Sequence, residues 1–257
     1  MKLYLKFLSI HFRSAMTYRA SFFLSCLGHL LITGNVFLGV IFLMARFDTI
    51  GGYTLPQLSL CYAVILAGTS LAECFARGID AFGRILSEAQ FDRIMVRPRS
   101  VLFQVLCQDM KPTMLARVFQ SVVMLVWAIG SGAVSWTLVK GLVLAGMILC
   151  GAAIFFGLFL VNASITFFTL EHVETMNIFL DGPREYGKYP FGIYGKPVLL
   201  VLTFLVPLAL VQHWPLQDLF DRGPAWYGLL PVVSLVFLIP CALLWQLGVR
   251  HYKSTGS

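Results

Sequence analysis

Charge is what this chain has least of. Only 12% of its 257 residues are Asp, Glu, Lys or Arg, about half the share of an ordinary soluble domain. That scarcity excludes a water-soluble globular enzyme and a disordered tail. It also excludes a nucleic-acid-binding module, in spite of the net charge of +7. The phosphate-binding pattern G-x-x-x-x-G-K-[ST] is missing. The two Gly-Lys pairs, Gly187-Lys188 and Gly195-Lys196, are followed by Tyr189 and Pro197, so the chain has no Walker-type site of its own for hydrolysing ATP. H-E-x-x-H and G-x-S-x-G are absent too. The six cysteines, Cys26, Cys61, Cys74, Cys107, Cys150 and Cys241, form no C-x-x-C pair. They read as small hydrophobes rather than as a zinc or disulfide framework.

What fills the chain instead is apolar sequence, 58% of all residues. Runs of 18 or more uncharged residues are long enough to cross ~30 Å of hydrocarbon as helices. The expected fold class is therefore an all-α integral membrane protein of about six spans, near 22–44, 55–74, 113–135, 138–168, 197–213 and 226–248. The first covers about 34 Å at 1.5 Å per residue. The fourth is longer than a bilayer needs, so it tilts or protrudes. The fifth is short and carries Pro197 and Pro207, and Pro215, Pro224 and Pro231 follow. That pattern predicts a short or broken helix with re-entrant structure on the far side, covered by protein. Pro231 and Pro240 predict kinks in the sixth.

Ahead of the first span, Lys2, Lys6, Ser9 and Arg13 recur at 4-3-4 spacing and share one face of a helix over residues 1–20. Such a helix lies in the headgroup region or is a solvated helix start. The first apolar run, Ser21 to Ala45, is too long for a cleaved signal and is expected to remain an anchor. Lysine and arginine are lopsided. Sixteen of 19 fall in the N-terminal segment, the loop after span two, the loop after span four (Arg184, Lys188, Lys196) and the tail. Arg46, Lys140 and Arg222 remain for the other side. The positive-inside rule then puts both termini in the cytoplasm, with the chain in the cell's inner membrane.

None of the twelve acidic residues falls at the middle of an expected span. A carboxylate there costs at least ~2.5 kcal/mol, which proton-driven transporters accept for the sake of a relay. Energy for uphill transport would have to come from elsewhere. Two polar sets stand out. In the loop Phe75–Lys111, Ile79, Phe82, Leu86 and Ala89 give a short amphipathic helix. Asp80, Arg84, Glu88 and Asp92 occupy another of its faces at 4-4-4 spacing, and Arg97-Pro98 stops it. This is a docking surface for a soluble partner or a solvated connector. In the spans, Ser25, His29 and Thr33 line one face of the first, and Asn162, Ser164, Thr166 and Thr169 cluster toward the end of the fourth. They read as a substrate path, or as interhelical hydrogen bonds worth about 0.6 kcal/mol each.

Two stretches carry a family resemblance. FDRIMVRPRS, Phe91 to Ser100, resembles a "Leu/Phe-Asp … Arg/Lys-Pro" segment after the second span. YPFGIYGKPVLLVLTFLVPLALVQHWPLQDL, Tyr189 to Leu219, resembles a Tyr-Pro-x-x-Ile-Tyr entry, a Thr-Phe-x-x-Pro centre and a later proline. Both are similar to the membrane subunits of ABC-2 exporters, in particular the small six-span permeases formerly of unknown function. An aromatic Phe-Trp segment expected at the end of span four is replaced by Phe167-Phe168-Thr169-Leu170-Glu171-His172. The resemblance implies a permease paired with a second, identical or related permease and bound to two copies of a separate ATPase. ATP and Mg²⁺ would sit on that partner, leaving no catalytic, cofactor or metal site here. The N-terminal segment would be a connecting helix. Asp80, Arg84, Glu88, Phe91, Asp92, Arg97 and Pro98 would belong to the helix that couples the ATPase to the spans. The alternatives are a secondary transporter or channel, or a membrane scaffold.

Overall fold

The computed structural model describes residues 2–132, 134–169 and 182–252. Among them the chain is almost wholly helical, with one isolated antiparallel bridge, Ile50 to Tyr53. An amphipathic helix α1 (Lys2–Thr17) leads into α2 (Arg19–Arg46). A short loop follows, and then α3 (Leu55–Asp80) begins. Pro56 in its first turn and Gln57, whose Oε1 accepts the Thr54 N–H at 3.1 Å, satisfy that start. Three short helices follow: α4 (Phe82–Ser87), α5 (Phe91–Met95) and α6 (Val101–Gln108). Two long ones come next, α7 (Leu115–Gly130) and α8 (Leu138–Thr169). Residues 170–181 lie outside the described set, and with them Glu171 and His172.

Beyond this segment are α9 (Gly182–Tyr186), α10 (Lys196–Phe204), α11 (Leu208–Val211) and α12 (His213–Leu219). The last passage is α13 (Leu230–Ser234) and α14 (Leu238–His251), joined by a 3₁₀ turn at Leu235–Phe237. That turn includes Val236, the residue whose carbonyl the Pro240 ring would strike in a regular helix. Five helical passages are long and apolar enough to cross a membrane, six if the bent pair α10 and α11–α12 counts as one.

The centre of the bundle is α3. It packs against α7 on one side, α8 on another and α6 at its end, and most of its side chains are buried. Gly68 makes the α3–α8 approach possible: a Cβ there would sit 3.3 Å from the backbone of Gly151 and Ala152. Small residues at a crossing let membrane helices come within dispersion contact. By contrast α2 buries little beyond Thr33 and Val40 and turns Phe23, Leu27, Leu31 and Phe42 outward.

One expectation is met and one changes. The fifth passage is broken, as its prolines predict. Its chain turns by 87° between Phe204 and Leu208, at Pro207. The segment before it stands at the other end of the bundle from the one the charge count implies. Tyr189 packs on Tyr53 and Leu58, and Ile193 lies 2.9 Å from where a Gly51 Cβ would be. Both therefore sit beside the α2–α3 loop, across the bundle from Tyr252. Gln212 Nε2 ties the segment down by donating to the carbonyls of Gly187 (2.8 Å) and Cys61 (3.1 Å). The reason is packing. Phe191 is fully buried, and Tyr186 and Tyr189 pack on core clusters. Burying such aromatics outweighs a bias resting on three basic residues, Arg184, Lys188 and Lys196.

Candidate functional site

The end of the bundle that carries most of the arginines is built by a chain reversal. Helix α3 passes into α4, which ends at Ala89 with φ 52°. There the Ala89 N–H donates to the Leu86 carbonyl (3.1 Å) and the Gln90 N–H to the Ile85 carbonyl (3.0 Å), the paired bonds of a left-handed helix stop. Helix α5 follows, then a turn at Arg97–Arg99 closed by the Arg99 N–H on the Arg97 carbonyl at 2.7 Å. Helix α6 returns along α3. Gly78 allows that return, since a Cβ there would lie 2.2 Å from the Val105 carbonyl oxygen.

The stop at Ala89 breaks the expected 4-4-4 face, so Asp80, Arg84, Glu88 and Asp92 do not share one. Asp80 pairs with Arg77 at 2.6 Å and Arg84 with Asp109 at 3.6 Å. Glu88 accepts from Gln90 at 2.6 Å, and Asp92 accepts from the Tyr252 hydroxyl at 3.0 Å. Phe91 is fully buried. It meets Phe82, Phe167 and Tyr252 edge-on at 4.8–5.3 Å, and Trp245 closes on Phe82 and Phe167. This cluster joins α4 and α5 to α8 and α14. Such ring pairs contribute about 0.5–1.5 kcal/mol each beyond area burial. Of the seven residues expected to couple, Arg84, Glu88, Arg97 and Pro98 are exposed, and Arg97 and Pro98 make no ion pair among the described residues. These two stand beside Arg93, Met95, Val96 (85% exposed) and Arg99.

Helix α1 lies across this end. The Tyr4 hydroxyl donates to the Phe75 carbonyl and His11 Nε2 bonds the Cys107 carbonyl, both at 3.0 Å. Burial pushes the Tyr4 hydroxyl up to about 12, so it stays a donor at any physiological pH. Lys6, Ser9 and Arg13 are exposed on the opposite side of α1.

A second polar group lies between α2, α3 and α7. Thr33 Oγ1 bonds the His29 carbonyl at 2.7 Å and Gln120 Oε1. Glu73, 2% exposed, takes Arg117 at 2.9 Å and Arg77 at 3.8 Å. A cleft of about 200 Å³ opens beside them, edged by Thr33, Tyr62, Thr69, Arg117 and Glu185. Among the described residues, His29 Nδ1 and Arg117 Nε have no hydrogen-bond partner. The expected path residues therefore divide. His29 and Thr33 face this group, while Ser25 is exposed. Asn162 is buried on α8, which packs against α3 and α14, and its amide nitrogen lacks a partner among the described residues. Sequence reading missed Glu73, Arg117 and Gln120 as a set. Glu73 stood at the rim of a span drawn to end at residue 74, and Arg117 counted only as a basic residue after span two. The signal available was the apolar run continuing through Cys74, Phe75 and Ala76.

Compared with known protein families, residues 30–256 match the one described as ABC-2 family transporter protein. No curated protein and no solved structure matches the chain.

Proposed function

The chain belongs to the ABC-2 transporter family, and from that premise we propose that it is the membrane-crossing permease subunit of an ATP-driven exporter. The ATPase is a separate chain that docks on the Arg93–Arg99 surface. A second permease completes the translocation path. The missing phosphate loop supports the need for a partner that binds ATP and Mg²⁺. The N-terminal segment, the Arg77–Arg117 region and Arg250 gather basic residues at one end, which the positive-inside rule places in the cytoplasm of a cell with an inner membrane. Exposed apolar faces on α2 and α7, including Leu31, Phe42, Phe119 and Val126, suit contact with lipid or with the second permease.

The observation that carries this reading is the aromatic cluster. The docking surface is not a loose loop, because Phe91 is clamped among rings from α4, α8 and α14. A force applied at Val96 or Arg97 is handed to three parts of the bundle at once. The polar cleft between α2, α3 and α7 then lies where movement of α3 would reshape it.

The test is isolation of the native complex, followed by vesicle transport with the Asp92→Ala/Arg97→Ala double variant. ATP hydrolysis by the partner should persist while transport falls, with insertion unchanged. Normal transport in that variant, or the absence of any ATPase in the native complex, would refute the assignment.

A further inference from the structure

A groove of about 600 Å³ runs between α1 and the α5–α6 turn. One wall is the apolar side of α1, formed by Leu3, Phe7 and Ile10. The other is formed by Ile94 and Phe103, and the rim carries Arg93, Arg97 and Arg99. The three guanidiniums make no ion pair among the described residues, and no described carboxylate lines the groove. Gln104 adds a second polarity. Its Nε2 donates to the Ile94 and Arg99 carbonyls, each at 3.0 Å. The amide is thereby held one way round, and its Oε1 is buried with no donor among the described residues.

We propose that this groove holds the headgroup of an anionic phospholipid, with phosphatidylglycerol as the type. Charge complementarity selects the phosphate, because three unpaired arginines are suited to paired hydrogen bonds with a phosphodiester. The apolar wall of α1 selects a lipid over a free ion, since it gives an acyl chain a path alongside Leu3 and Phe7. The position agrees, because amphipathic helices such as α1 lie at headgroup depth. Met95, Val96 and Pro98 do not line the groove, so the lipid leaves the apolar tip of the turn free for a protein partner. The bound lipid fastens α1 to the turn.

Native mass spectrometry of the full chain, released from bilayers of equal dioleoyl phosphatidylglycerol and dioleoyl phosphatidylcholine, reads this directly. The wild type should retain one phosphatidylglycerol with at least tenfold preference. The Arg93→Ala/Arg97→Ala/Arg99→Ala variant should lose that preference, and Arg13→Ala should keep it. Each surface arginine contributes roughly fivefold near an anionic membrane. As a check that needs no variant, hydrogen exchange of the wild type should slow over residues 3–11 and 101–108 in phosphatidylglycerol bilayers relative to phosphatidylcholine. Unchanged retention by the triple variant would overturn the proposal. So would equal loss with Arg13→Ala, or equal protection by inorganic phosphate in phosphatidylcholine bilayers. Loss of ATPase binding in the triple variant with lipid retention intact would assign these arginines to the partner instead.

Discussion

Adding one methyl group at Gly78 should dislodge α6 from α3. The added carbon would lie 2.2 Å from the Val105 carbonyl oxygen, about 0.8 Å inside the closest approach such carbons make. The Leu106 oxygen at 3.1 Å and the Asp109 nitrogen at 3.2 Å block the neighbouring directions. All three are backbone atoms, so no side chain can turn aside, and α6 must shift bodily. Overpacking of this kind costs about 1–3 kcal/mol. It is set against a gain of up to about 1 kcal/mol from replacing a helical glycine. For a chain of this size, each kcal/mol moves the melting midpoint by about 2–4 °C. Gly78→Ala should therefore melt several degrees below the wild type in detergent, as followed by tryptophan fluorescence. The loss should extend to the arginine turn, because Gln104 on α6 holds the Ile94 and Arg99 carbonyls. Faster proteolysis between Arg93 and Arg99 would report this. Gly146→Ala is the control, with nothing within 4 Å of the new carbon. If Gly78→Ala melts no lower than Gly146→Ala, the close docking of α6 on α3 is wrong.

Removing the Glu73 carboxylate strands the Arg117 charge, whereas removing Arg117 leaves Glu73 its longer contact with Arg77 at 3.8 Å. Glu73→Gln should therefore destabilise by about 3–5 kcal/mol, Arg117→Met by less, and the double variant should recover part of the Glu73→Gln loss in the same melting assay. Ala89→Gly should raise stability by about 1 kcal/mol, because glycine takes the left-handed backbone at φ 52° without the strain on alanine; an unchanged midpoint counts against the helix stop. Tyr252→Phe removes the bond to Asp92 and should cost about 1.5–3 kcal/mol, seen also as faster amide exchange at the end of α14.

Where long apolar runs lie between charged ends, as in α2 and α8, sequence alone outlines the helix closely. It fails in places where charges are satisfied inside the fold. Glu73 stood at the rim of the second span and Arg77 and Asp80 read as the loop after it, yet Arg77 pairs with both Glu73 and Asp80, and Glu73 with Arg117. Helix α3 thus runs six residues past the expected end of its span. The face shared by Asp80, Arg84, Glu88 and Asp92 was a fair inference from spacing, but a left-handed alanine broke it. Glycine or asparagine usually signals such a stop, and Ala89 gives no warning. Phe91 was legible as apolar but not as buried, since its partners Phe167, Trp245 and Tyr252 are remote in sequence. The placement of Tyr186–Tyr194 was illegible for a different reason. A tally of lysines and arginines carries no information about which aromatic side chains find a cavity to fill.

The right-angled turn after Phe204 has a consequence for whatever surrounds the protein. Helix α10 has nine residues and so rises about 14 Å, less than half of a ~30 Å hydrocarbon layer. Its outward side is oily, with Val198, Leu200, Phe204 and Leu205 exposed. On that flank the wall of the protein is too low for the bilayer it meets. Acyl chains there must splay or shorten, or a neighbouring protein must supply the missing height. In the first case the flank gives an amphiphile a thinner oil barrier than a full-length helix would; in the second it marks where that neighbour must stand.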